Sequence, residues 1–232
     1  MSTLAAYSAT QPRTLTRVLK AEVHPSFTRR DAILLAGDGA SRDVVIGEVA
    51  GRRLFGTATG AVVKGAGVGG GTGDGGLGSI TKGAAVKKGV YTLKCITEAG
   101  NAGTFSVFDP EGLRLPDATV AVAYAHPQIN FTISDGANDF DLTDAFSITV
   151  AEGDQKVTAI DFDAVDGSQL WAGIFSKNTS APDGIDASTQ LVDKMALLAA
   201  EELIWPEDTT DDQKAVALAL ASASFIEVAQ LG

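Results

Sequence analysis

The sequence predicts a mainly β protein with one helix near its C-terminal end and a second β domain inserted in its middle. Three observations predict this. Short alternating or apolar runs recur along most of the chain, separated by Gly, Asn, Pro and Asp. The 26 glycines exceed the usual ~7% and crowd into one stretch. One segment near the end carries a helix start signal followed by an alanine-rich run.

The 232 residues suffice for one large or two small domains. With 45% hydrophobic and 20% charged residues, the composition is that of a soluble globular protein. The net charge of −11 argues against non-specific nucleic-acid binding, which needs a basic surface. No run reaches the ~20 apolar residues of a spanning helix, so no membrane partner is expected. The opening MSTLAAYSATQPRT lacks a signal-peptide pattern, so synthesis in the cytoplasm is expected.

Residues 1–22 are small and polar, interrupted by Pro12, and read as a flexible arm, either a solvated tail or one that orders against a partner. Arg13, Arg17 and Lys20 make its second half basic. DAILL (31–35) is a short apolar run, and GDGA after it is a turn. VVIGEVA from Val44 reads as a strand with Gly47 at a bulge or close approach, and RRLFG (52–56) as a third strand. Residues 57–78, TATGAVVKGAGVGGGTGDGGLG, read as a flexible linker. They contain no GxxxxGK followed by Ser or Thr. GAGVGG lacks the strand-then-helix setting of a dinucleotide site.

Residues 79–152 carry five strand patterns: VYTLKCI, GTFSVFD, ATVAVAYA, QINFTISD and DAFSITVA. Their spacing predicts an antiparallel sandwich or barrel. Alternation puts Tyr91, Leu93 and Cys95 on one face and pairs Phe105 with Val107; Phe131, Ile133, Phe146 and Ile148 are further core candidates. KVTAIDF and LWAGIFS are strands, and Gly173 marks a close backbone approach. In LVDKMALLAAEELIW the composition favours helix and leaves strand open. LIW before Pro206 reads as an edge strand. Thr210 and Gln213 have capping-box spacing, with Asp211 and Asp212 in the first turn of a helix of about three turns. Phe225, Ile226 and Val228 read as a closing strand.

Chemistry is sparse. Cys95 cannot form an intrachain disulfide, and it is too far in sequence from His24 and His126 to suggest a metal site. Both histidines neighbour prolines in apparent loops, and GxSxG, HExxH and CxxC are absent. Asp135, Asp139, Asp141 and Asp144 sit in one loop without the EF-hand order and read as acidic turn residues rather than a calcium site. Asp109 and Glu111 flank a proline turn. Asn178-Thr179-Ser180 matches a glycosylation sequon that has no meaning without secretion. The reading is of a non-enzyme with no catalytic, cofactor or metal residues.

The tail LIWPEDTTDDQKAVALALASASFIEV closely resembles the C-terminus of the lambda-like phage head decoration proteins. The resemblance rests on Leu203, Trp205, Pro206 and Glu207, the helix from about Asp211, and Phe225 to Val228. DGSQLWAGIF and VVIGEVAGRRLF are similar to further segments of that family. It implies a β-clip-like decoration domain with a C-terminal helix, made of residues 23–56 plus 156–232 and interrupted after the 57–78 linker by an inserted β-sandwich of residues 79–152. That insert resembles immunoglobulin-like or other small β-domains. The resemblance further implies a virion protein on the outer surface of the expanded head. It would bind the major capsid protein as a homotrimer at three-fold positions and reinforce the shell against DNA pressure. Trp205 and Pro206 are candidates for rigid packing near a subunit contact, with plain core or edge packing as the alternative; Trp171 and Phe175 share that ambiguity. The insert would project outward and bind a host surface or glycan, or only add bulk.

Overall fold

The computed structural model describes residues 13–100 and 102–230. The chain divides into two compact units. A flanking unit takes the chain through Gly51, then Val157–Asp161, then Leu170 onward; a middle unit takes Arg52–Lys156 and Phe162–Gln169.

The flanking unit begins with α1 (Leu15–Val18), β1 (Leu19–Glu22), α2 (Pro25–Thr28), β2 (Arg29–Leu34), β3 (Arg42–Val44) and β4 (Val49–Arg52). It resumes with β13 (Val157–Ala159), β14 (Trp171–Phe175), β15 (Thr179–Ala181), β16 (Ala187–Val192) and β17 (Ala196–Ala199). A 3₁₀ turn (Ala200–Glu202), α3 (Asp211–Ala223) and β18 (Ile226–Ala229) complete it.

Strands β13, β2, β16, β14 and β4 close in that order into a barrel. Leu34, Val157, Phe175 and Leu191 are fully buried in its core. Each such side chain contributes ~1.5–3 kcal/mol relative to leaving it in water. Gly173 has φ 133°, and a Cβ there would lie 2.5 Å from the carbonyl oxygen of Val192. That is the close approach expected at this position, and no other residue tolerates it. A separate three-stranded sheet runs β1-β17-β18, with β1 antiparallel and β18 parallel to the central strand.

The middle unit contains β5 (Phe55–Lys64), β6 (Gly76–Lys82), β7 (Gly89–Ala99), β8 (Ala102–Phe108), β9 (Arg114–Thr119), β10 (Ala123–Tyr124), β11 (Ile129–Ser134) and β12 (Ala145–Glu152). They form a five-stranded sheet, β5-β12-β7-β8-β9, and a three-stranded sheet, β10-β11-β6. One hydrophobic cluster draws on both. Tyr91, Leu93, Cys95, Phe105, Val107, Phe146 and Ile148 enter it from the larger sheet, Phe131 and Ile133 from the smaller. Every core candidate read from alternation is buried there, because a half-buried sheet sends alternate side chains inward.

Four sequence expectations are corrected. The 57–78 stretch is not a free linker. Residues 57–64 belong to β5, paired with β12, and residues 76–78 to β6, paired with β11. Some of the glycines between, Gly71 and Gly73 among them, serve close packing rather than flexibility. A Cβ at Gly73 would lie 2.3 Å from the Phe140 ring, and one at Gly71 would lie 1.9 Å from Asp144 Oδ1.

Second, the arm expected over residues 1–22 is folded from residue 13, as α1 and β1; residues 1–12 lie outside the described residues. Third, no α-helix forms within 191–205, whose one helical piece is the 3₁₀ turn Ala200–Glu202. Val192 ends β16, and Ala196–Ala199 are a central strand because two neighbouring strands pair with them, a tertiary demand that outweighs helix propensity. Ile204 makes a single bridge to Glu48 in place of an edge strand. Fourth, ATVAVAYA is two short elements, β9 and β10, separated by a turn in which Ala121 takes φ 60°. No helix among the described residues is long and apolar enough to cross a membrane.

Candidate docking groove

The three-stranded sheet positions the most developed surface of the flanking unit. Ala196, Leu198 and Ile226 point inward and are buried. Alternation therefore gives the opposite face to Leu197 and its register partners, Ala21 on one side and Glu227 on the other. This row floors an open groove of about 470 Å³, walled by Val23, Met195 and Phe225. Their side chains stay in water: Val23 is 71% exposed, Met195 40% and Phe225 76%.

The wall is conformationally unusual. Met195 has φ 51° and Phe225 φ 58°. Left-handed backbone costs a non-glycine residue roughly 1–2 kcal/mol, and a large residue meets it rarely. Phe225 stands just after the α3 C-cap, Ser224, where glycine is the usual residue. Backbone hydrogen bonds fix the arrangement. Phe225 N–H donates to Ser222 O at 3.0 Å, Met195 N–H to Ser224 O at 3.2 Å, and Val23 N–H to Met195 O at 3.3 Å.

The arginines around the groove are paired, while Lys20 and Lys194 make no ion pair among the described residues. Arg29 donates to Glu22 through both Nε, at 3.0 Å, and a second guanidinium nitrogen, while Thr28 Oγ1 donates at 2.5 Å. The Arg29 guanidinium thereby holds the Glu22 carboxyl below its ordinary range. Arg30 pairs with Asp193 at 2.8 Å. Arg13 and Arg17, expected in a loose basic arm, instead converge on Glu202 at 3.3 and 2.9 Å, and Arg13 Nε donates to Ile46 O at 2.7 Å. Glu227 is exposed on the groove floor with no ion pair among the described residues.

The other candidates serve the fold. Trp171 is buried and meets Trp205 with ring centroids 6.2 Å apart; Phe175 is barrel core. Pro206 is exposed, and its carbonyl accepts from Thr209 Oγ1 at 2.7 Å. His24 Nδ1 accepts from Ser26 N–H and caps α2, and His126 Nδ1 accepts from Gln128 N–H.

In the middle unit, Asp144 is buried and its Oδ2 accepts from Gly73 and Asp141 N–H at 2.9 and 2.7 Å. Asp141 accepts from Thr72 and Thr143, which hold its carboxyl below the ordinary range. The aspartate loop thus fastens the glycine-rich turn. Among the described residues no group of three His, Cys, Asp or Glu is placed to hold a metal ion. Asp135 and Asp139 join no such group. Asp109 is buried and pairs with Lys87 at 2.7 Å, and Glu111 meets the same ammonium at 2.6 Å.

Sequence reasoning found Phe225 only as a strand residue and did not single out Met195, Val23 or Glu227. The available signal was a helix ending in ASASF without the glycine that normally terminates it.

Comparison with known proteins gives one broad match. The family model described as Bacteriophage lambda head decoration protein D matches residues 8–226, a span that runs through both units. No curated protein gives a match to the chain. Among solved structures, two crystal forms of Xanthomonas campestris FlgL align at 16% identity and TM-score 0.30. They cover 48% and 50% of this chain, which spans only 34% and 33% of theirs.

Proposed function

The chain belongs to the bacteriophage lambda head decoration protein D family, and from that premise we propose how it acts on the phage head. It binds the major capsid protein on the outer surface of the expanded shell as a homotrimer at three-fold positions. There it braces the shell against the pressure of packaged DNA. The family supplies the coarse part of this statement, a structural role in the capsid. The observation that supports a contact with the shell is the groove of the flanking unit, where Met195 and Phe225 hold apolar side chains in water at a conformational cost. Such cost is expected where a surface is shaped for a contact. Many repeated contacts of modest strength suffice on a shell, because the sites act together.

The test is co-sedimentation of the full chain with its expanded and unexpanded capsids. Saturable binding to the expanded form alone, with greater resistance of the bound shell to heat, is the expected result. Absence of saturable binding to either form removes the proposal.

In this reading the flanking unit is a β-clip-like decoration domain, and the middle unit is an immunoglobulin-like β-sandwich inserted into it. A second reading, surface adhesion or glycan binding through the middle unit, has its own observation. The outward face of the five-stranded sheet brings Thr59, Thr149, Ser147 and Thr92 into adjacent rows, with Lys94 one step along β7. The face is rich in hydroxyls in a strongly acidic chain. Adsorption of the full chain to host cells, lost in Lys94→Glu, supports adhesion; unchanged adsorption in that variant, or none in either protein, removes it.

A further inference from the structure

The groove has one charge without a counter-ion, and that charge limits what can fill it. Two carboxylates line it, Glu22 and Glu227. Glu22 is occupied by Arg29 and Thr28 and offers nothing to a partner. Glu227 lies on the floor beside Leu197, exposed and without an ion pair among the described residues. The arginines of the surrounding elements, Arg13, Arg17, Arg29 and Arg30, are already paired.

Different occupants fare differently on this floor. A purely apolar segment would cover the Glu227 carboxylate and leave a desolvated charge uncompensated. An acidic segment would be repelled. A segment with an apolar side chain set against Met195 and Phe225 and a cation beside it satisfies both features.

We propose that the groove receives a segment of the major capsid protein in which a Lys or Arg stands close to a large apolar side chain. The apolar residue covers Met195 and Phe225, and the cation pairs with Glu227. This rests on the decoration reading of the chain and adds the chemistry of the partner segment. It also accounts for the left-handed Phe225. A glycine there would relieve the backbone and remove the wall.

The test is co-sedimentation of the full chain with expanded capsids at low and high salt, with Glu227→Lys, Glu227→Gln and Phe225→Gly beside the unaltered protein. Unaltered protein should bind more weakly as salt rises. Glu227→Lys should bind about tenfold or more weakly at low salt and lose most of that salt dependence, with Glu227→Gln between them. Phe225→Gly should melt no lower than the unaltered protein yet bind about tenfold more weakly. Full binding by both Glu227→Lys and Phe225→Gly overturns the proposal while the decoration reading stands. An effect of Glu227→Lys on self-association alone, measured by sedimentation velocity, overturns it in favour of a second copy as occupant. Failure of the unaltered protein to bind removes the decoration reading and this proposal with it.

Discussion

Met195 and Phe225 both hold left-handed backbone, at φ 51° and 58°, and the hydrogen bond from Met195 N–H to Ser224 O at 3.2 Å ties their two turns together. One residue precedes the central strand of a small sheet and the other precedes its edge strand. Each keeps its side chain in water while carrying backbone strain. Neither burial nor a local cap explains the choice of residue.

Relieving that strain should stabilise the protein. Met195→Gly removes a penalty of roughly 1–2 kcal/mol but adds ~0.5–1 kcal/mol of unfolded-chain entropy. The expected outcome is a melting temperature equal to or slightly above that of the unaltered protein, read by calorimetry. A clear drop would show that the Met195 side chain contributes packing that its exposure hides.

The glycine-rich turn should prove intolerant at some positions and permissive at others. Gly73→Ala drives a methyl against Phe140 and Asp144, and overpacking of this kind costs ~1–3 kcal/mol. Gly67→Ala meets nothing within 4 Å and bears only the cost of φ 79°, roughly 1–2 kcal/mol. Chemical denaturation should therefore rank Gly73→Ala as the more damaging. Equal, negligible effects would restore the free-linker description.

Acid should loosen the middle unit through Asp109. Hydrogen bonding to Lys87 lowers its pKa from 3.8 to about 2. A depressed carboxylate stabilises the fold above its unfolded pKa, so the contribution is complete above about pH 4 and is lost as pH falls toward 2. Lys87 is shifted upward by the same pair, so its own contribution holds below its ordinary pKa of 10.5 and fades above it. Lys87→Met should raise the Asp109 pKa, as followed by carboxyl chemical shifts, and flatten the loss of stability between pH 4 and 2.

The terminal helix should depend on its cap. Thr210 Oγ1 accepts from Gln213 N–H at 3.3 Å, and Gln213 Oε1 accepts from Thr210 N–H at 2.8 Å. Thr210→Ala removes the first of these and should cost ~1 kcal/mol, with Thr210→Asp restoring most of it. Thermal melts of the two variants check the order.

Features carried by local pattern were legible in the sequence. The capping box at Thr210 and Gln213 could be read from three-residue spacing, and the core faces at Tyr91, Leu93, Phe146 and Ile148 from alternation. What escaped depended on residues far away in sequence. Gly73 looks like linker until Asp144 and Phe140 are brought against it. Ala196–Ala199 looks helical until β1 and β18 flank it. The groove escaped for the same reason, since Ala21, Leu197 and Glu227 become neighbours only through strand pairing. The strain at Met195 leaves no mark in the sequence, and that at Phe225 shows only as a missing glycine after the helix.

The sheet β1-β17-β18 also fixes an order of events during synthesis. Its strands begin at Leu19 and end at Ala229, so the sheet cannot close until nearly all of the described chain has left the ribosome. The eight strands of the middle unit lie between Phe55 and Glu152. At the usual pace of translation, about 5–20 residues per second, several seconds separate the last of these strands from β18. The middle unit can therefore be folded and waiting while β1 still lacks its partner. During that interval β1 is a four-residue unpaired strand, and its brevity and its Lys20 and Glu22 blunt the edge it presents.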